Sequence, residues 1–100
     1  MQFRVEIRPA ARREFDEASD WYRDRDRNVR DRFVAAVGET IRKISRRPPA
    51  YPIVFGSGVR RARVPRFPYS IFYISKAETV FVISVFHDSR NPIIWRGRID

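Results

Sequence analysis

The sequence predicts an α+β domain: an N-terminal strand, an antiparallel helical hairpin, then a three-strand antiparallel meander, giving a small twisted sheet with helices packed on one face. Three observations carry this. Apolar residues alternate with polar ones at the start of the chain, recur at helical spacing from Pro9 to the double proline at 48–49, and return to a strand-like period after Val59. The length of 100 residues suits one domain over residues 1–100, large enough for a core. With 43% hydrophobic residues, including two Trp, eight Phe and four Tyr, the chain can fold alone.

Each element has its own signal. Phe3, Val5 and Ile7 alternate with Gln2, Arg4, Glu6 and Arg8, the pattern of a half-buried strand. Pro9 then opens a helix whose stripe is Ala11, Phe15, Ala18 and Tyr22. Off the stripe, Glu14, Asp16, Glu17 and Asp20 interleave with Arg12, Arg13 and Arg23 and read as surface ion pairs. The polar run RDRDRN at 23–28 reads as the connection, with Asn28 as the N-cap of a second helix. That helix has the stripe Val29, Phe33, Val37 or Ala36, Ile41 and Ile44 and is stopped by Pro48-Pro49.

Tyr51 to Phe55 reads as an irregular or short extended piece, and Gly56-Ser57-Gly58 as a turn. Extended segments follow at Val59–Val64, Tyr69–Ser75 and Thr79–Asp88, the last two joined by a tight KAE turn. In SIFYI and VFVISVF both faces are apolar, so these strands are covered on both sides. A single helix pair covers one face. The other falls to the tail NPIIWRGR, to another molecule, or to both.

Composition narrows the function. There is no cysteine, which excludes disulfides, thiolate nucleophiles and zinc–thiolate sites. The chain opens without a signal-peptide pattern and its apolar runs are far short of a membrane span, so the expected location is the cytoplasm. The net charge is +9; residues 1–50 carry 13 basic and 9 acidic groups, residues 51–100 carry 8 and 3. Positive charge therefore stands unopposed in the second half, which points to an acidic partner, nucleic acid or protein.

Two clusters carry candidate chemistry. In VRRARVPR, alternation places Arg61 and Arg63 on one sheet face and Ala62 and Val64 on the other. The two arginines are either a charged edge guarding against aggregation or, with Arg66, an anionic contact. In VFHDSR, His87 is the only histidine and so the one side chain suited to proton transfer near neutrality. Together with Tyr69 or Tyr73 as an acid, and Arg61 or Arg90 over a phosphate, it would supply the groups for RNA cleavage. The plainer reading makes His87 a hydrogen-bonding residue at a strand end and Asp88–Arg90 a local ion pair. Trp21-Tyr22 reads as core plus rim. No residue cluster suggests a metal or cofactor.

The order and spacing of these pieces resemble the RelE/ParE superfamily of type II toxin-antitoxin toxins, and more closely its ParE branch. The matching pieces are the opening strand with Pro9, Ala11, Phe15 and Trp21-Tyr22; Phe33 and Ile41 ahead of the double proline and Tyr51; Arg60 or Arg61 after the glycine turn; FPYSIFY at 67–73; VFHDSR at 85–90; and Trp95-Arg96. The resemblance implies a toxin that forms a hetero-oligomer with a cognate antitoxin protein, with Trp21, Tyr22, Tyr73 and Trp95 as antitoxin contacts. It implies a target surface of Arg61, Arg63, Arg66, His87, Arg90 and Arg96. ParE-like members poison DNA gyrase without being nucleases; RelE-like members cut mRNA on the ribosome. The scarcity of lysine, with only Lys43 and Lys76, favours the first kind, because arginine is a poor general base. The second would use His87, Tyr69, Arg61 and Arg90 as a ribonuclease site.

Overall fold

A computed structural model describes residues 2–99. Helix α1 (Pro9–Arg25) starts from extended backbone at Arg8, with Pro9 in the first turn where its missing N–H costs nothing. It runs past Tyr22 through Arg23, Asp24 and Arg25, because Arg has good helix propensity and the Arg25 guanidinium donates to the Trp21 carbonyl at 3.0 Å. The six-residue connection expected at 23–28 therefore shrinks to Asp26. Its backbone N–H closes α1 on the Tyr22 carbonyl, and its side chain accepts from Asn28 N–H at 2.8 Å. Asp26, not Asn28, is thus the N-cap of α2 (Arg27–Arg46). So short a link folds the helices back on each other, with Phe15 and Tyr22 both against Phe33 at ring distances of 5.9 and 5.0 Å.

The strands are β1 (Arg4–Ile7), β2 (Ile53–Phe55), β3 (Val59–Arg63), β4 (Tyr69–Lys76) and β5 (Thr79–His87), in the sheet order β1-β5-β4-β3-β2. The meander has four strands, not three, since Ile53–Phe55 pairs with β3 after a 3-10 turn at Pro48–Ala50. Strand β1 joins β5 in parallel; the other pairings are antiparallel. All four β1 residues are exposed, against the expectation of a half-buried strand. Val5 and Ile7 lie opposite the buried Val80 and Val82, but β1 is an edge and α1 packs over β5, leaving the pair uncovered. The β4–β5 turn is two residues, Ala77 and Glu78, with φ of 51° and 64°. The twist of a tight hairpin requires this left-handed backbone, and two non-glycine residues adopt it under strain.

The two sheet faces are covered unequally. Ile71, Tyr73, Val80 and Val82 meet Ala11, Phe33, Val37 and Ile44 of the helices in the larger core. On the opposite face Val59, Phe72, Ile83 and Phe86 meet Trp95, carried by the short α3 (Ile93–Arg96). The Trp95 ring stacks on Phe72 with centroids 4.2 Å apart and meets Phe55 edge-on at 5.6 Å. Of the covers expected for this face, the tail is the one present. No helix is long and apolar enough to cross a membrane among the described residues.

Candidate functional site

Strand β3 delivers Arg61 and Arg63 to the tail face, as alternation requires, while Ala62 and Val64 enter the helix-side core. Neither arginine is a bare charge. Arg61 Nε donates to Ser70 Oγ at 2.9 Å, and Ser70 Oγ in turn donates to Asp88 Oδ1 at 2.7 Å. The Asp88 carboxylate also lies 3.4 Å from Arg61 and 3.5 Å from Arg63. It is held there from the end of β5 by its own N–H on the Pro68 carbonyl. The ion pair expected between Asp88 and Arg90 is replaced by this one, because Asp88 turns inward across β4. The Arg90 guanidinium instead lies over the Phe86 ring at 5.1 Å. A carboxylate thus occupies the place between two guanidiniums that a phosphate would need.

Tyr69 and His87 are cross-strand partners on the opposite, helix-side face, ring centroids 5.1 Å apart. Burial pushes the Tyr69 hydroxyl above its ordinary pKa, with Tyr22 adding to the shift and Arg90 opposing it, so at neutral pH it can donate but not abstract a proton. His87 Nδ1 accepts the Ser89 N–H at 3.1 Å and lies 2.8 Å from Ser89 Oγ. These contacts place the proton of the neutral ring on Nε2, which makes that nitrogen a donor. Arg90 lines the cleft beside Tyr69, His87 and Trp21, whereas Arg61 is separated from them by the sheet. The four residues of the ribonuclease set therefore do not all converge.

Arg66 is exposed in the loop between Pro65 and Pro68, with φ of 70°. Arg96 lies over the rings of Phe55 and Trp95 at 4.8 and 5.6 Å. Of the aromatic residues expected to face an antitoxin, Trp21 is 52% exposed, its ring covered on one side by Arg25 at 3.5 Å. Tyr22 is half-buried against Phe33, Phe67 and Tyr69, and burial raises its pKa. Tyr73 and Trp95 are 0% and 1% exposed and have no surface to offer a partner. Tyr73 instead donates its hydroxyl to the Pro48 carbonyl at 2.6 Å, and burial pushes its pKa up to about 12.

One structural pair was missed. Glu14, read as a surface acid, has a side chain only 10% exposed and is held by Arg98 through two bonds of 2.9 and 3.0 Å. Ser84 Oγ and Val85 N–H donate to the same carboxylate. Glu14 falls three residues after Ala11 and four before Ala18, so it sits on the buried stripe, a signal that could have marked it. Among the described residues no group of three His, Asp or Glu stands where it could hold a metal ion.

The fold is thus a hairpin of two helices on a mainly antiparallel sheet, with its arginines on β3, the strand next to the β2 edge. The sequence matches the family model of the ParE toxin of type II toxin-antitoxin system, parDE, over residues 5–92, and the chain belongs to that family. Among solved structures it is similar to a chain of the chromosomal ParDE TA system from P. aeruginosa, with a TM-score of 0.76 at 16% identity. That match covers 86% of this chain and 96% of the other, a likeness of fold. No curated protein matches the sequence.

Proposed function

We propose that this ParE-family toxin is neutralised by direct binding of a cognate antitoxin and, when free, inhibits DNA gyrase by a non-enzymatic contact in the cytoplasm. The family's division of labour supports gyrase over the ribosome. The observation that supports the non-enzymatic part is the lack of a base where candidate groups meet: Tyr69, His87 and Arg90 share one cleft with Nδ1 of His87 taken up by Ser89, while Arg61 and Arg63 lie on the other sheet face and share Asp88. Cleavage by attack of a 2′-hydroxyl needs base, acid and cation around one phosphate. Here the histidine nitrogen free of local contacts is a donor, the tyrosine is held protonated, and the two strand arginines share one carboxylate on the far face. In this reading Arg66, Arg90 and Arg96, exposed arginines of the second half that Asp88 does not pair, contribute to the target surface by charge.

The test is to add toxin, freshly separated from its antitoxin, in parallel to a gyrase supercoiling reaction and to a translating ribosome reaction with labelled mRNA. Loss of supercoiling with intact mRNA is expected. Cut mRNA with normal supercoiling would overturn the proposal in favour of the RelE-like activity.

A further inference from the structure

We infer that a strip of cations along the β1 side of the tail face binds the phosphate backbone of duplex DNA. Only the choice of DNA among nucleic acids rests on the gyrase reading above, since gyrase works on duplex DNA. Four elements build the strip. On β1, Arg4 lies opposite Thr79, whose neighbour Val80 enters the helix-side core, and alternation puts Arg8 on the same tail face with its guanidinium over the Phe81 ring at 4.9 Å. On β4, Lys76 is the other cross-strand partner of Thr79, so Arg4 and Lys76 flank it on either side. At the end of α2, the Ser45 carbonyl accepts the Phe3 N–H at 2.8 Å, which brings Arg46 and Arg47 beside the start of β1. From α1, Arg13 shares a hollow with Arg8 over Ile74 and Ile83.

The charge of this strip is left unopposed. Asp16, Asp20, Asp24, Asp31 and Glu39 are each bridged to an arginine of the helices, and Glu14 and Asp88 to arginines of the tail and of β3. Among the described residues, Arg4, Arg8, Arg13, Arg46, Arg47 and Lys76 form no ion pair, and all six are exposed. Against them stand two acids, Glu6 between Arg4 and Arg8, and Glu78 in the β4–β5 turn. A guard against strand pairing accounts for Arg4 and Arg8, and the dipole of α2 for Arg46. Neither accounts for cations converging from four elements.

Shape and chemistry select the occupant. Arg4 and Arg8 are about 13 Å apart along an extended strand, a length over which one DNA strand presents about four phosphates. A protein partner takes hold through an apolar anchor, but the exposed apolar pair of β1, Val5 and Ile7, lies on the opposite, helix-side face. A single nucleic-acid strand needs exposed rings for stacking, and Phe81, the ring within the strip, is capped by Arg8. A regular duplex backbone needs only the cations.

The experiment measures the fluorescence anisotropy of a short labelled DNA duplex of mixed sequence as toxin is added, for three forms of the chain. These are the unmodified protein, the strip variant Arg4→Gln/Arg46→Gln/Lys76→Gln and the control variant Arg66→Gln/Arg90→Gln/Arg96→Gln, with circular dichroism confirming that all are folded. The control removes the same charge from exposed positions outside the strip. At low salt the strip variant is expected to bind about tenfold or more weakly and the control less than about threefold, with the slope of log affinity against log salt reduced by about 2–3 in the strip variant for three lost phosphate contacts. Equal losses in the two variants reduce the effect to net charge and overturn the strip, as does an unmodified chain that does not bind the duplex. Tighter binding to an RNA duplex of the same sequence, or to poly-glutamate, overturns the assignment to DNA. A supercoiling reaction with the unmodified chain keeps the two readings apart: duplex binding lost in the strip variant, without gyrase inhibition by the unmodified chain, sinks the gyrase reading and leaves the strip standing.

Discussion

The two faces of the sheet solve the same burial problem with different means. On the helix side, two helices of 17 and 20 residues close over the strands, and Phe15, Tyr22, Phe33, Phe67 and Tyr69 interlock as one aromatic cluster. On the tail side the cover is a four-residue helix bearing one tryptophan, secured by the pair between Arg98 and Glu14. The first face is closed by many contacts of which each is replaceable only at high cost. The second depends on a few, carried by one four-residue helix, so it is the face that can open without global unfolding.

Cutting into each face tests this asymmetry. Phe33→Ala removes a ring with no exposure from the centre of the aromatic cluster and should cost about 3–5 kcal/mol, read as a fall in the denaturation midpoint. Trp95→Ala deletes a side chain just as buried, yet should cost only about 2–3 kcal/mol, below the usual range for so large a truncation, because α3 can peel away and relax the cavity. A Trp95→Ala cost equal to or above that of Phe33→Ala would erase the distinction between the faces. Arg98→Met leaves Glu14 with only Ser84 Oγ and Val85 N–H; a loss of about 1–2 kcal/mol is expected, with faster hydrogen exchange confined to residues 93–99.

The smallest effect is on pH. In the folded chain Tyr73 keeps its proton up to about 12, whereas the unfolded tyrosine releases it near its ordinary 10.0. The folded state then binds more protons between these values, so stability from this group is complete below pH 10 and falls as pH rises toward 12. Thermal melts across that window should show the fall, and Tyr73→Phe should flatten part of it. A profile unchanged by the substitution would mean that burial does not hold the Tyr73 hydroxyl protonated.

Which of these features could be read from the residues follows from their range. The stripes Ala11–Phe15–Ala18–Tyr22 and Val29–Phe33–Val37–Ile44 are local periodic signals, and the helix pair and its inward face follow from them. The alternation that put Arg61 and Arg63 opposite Ala62 and Val64 is equally local. Their pairing with Asp88 is not, since Arg61 reaches a residue 27 positions away, in part through Ser70 of the strand between them. Tyr73 and Trp95 illustrate the limit for aromatic residues: large rings suit an interface or a core equally, and only the packing of α3 and the 3-10 turn assigns them to the core. Asp26 displaced Asn28 as helix cap because charged residues at 23–25 continue a helix as readily as they form a link.

The central functional claim is that His87 and Tyr69 do not transfer protons, and the combined variant His87→Gln/Tyr69→Phe tests it most directly. Inhibition of gyrase supercoiling by this variant, at equal folded concentration, is expected to stay within about threefold of the unmodified toxin, since neither hydroxyl nor imidazole performs chemistry. General acid–base groups contribute about 10²–10⁴-fold to a rate. A loss of toxicity of that size from a variant that remains folded, with mRNA cleavage by the unmodified protein lost in step, would contradict the account and make the helix-side cleft an active site.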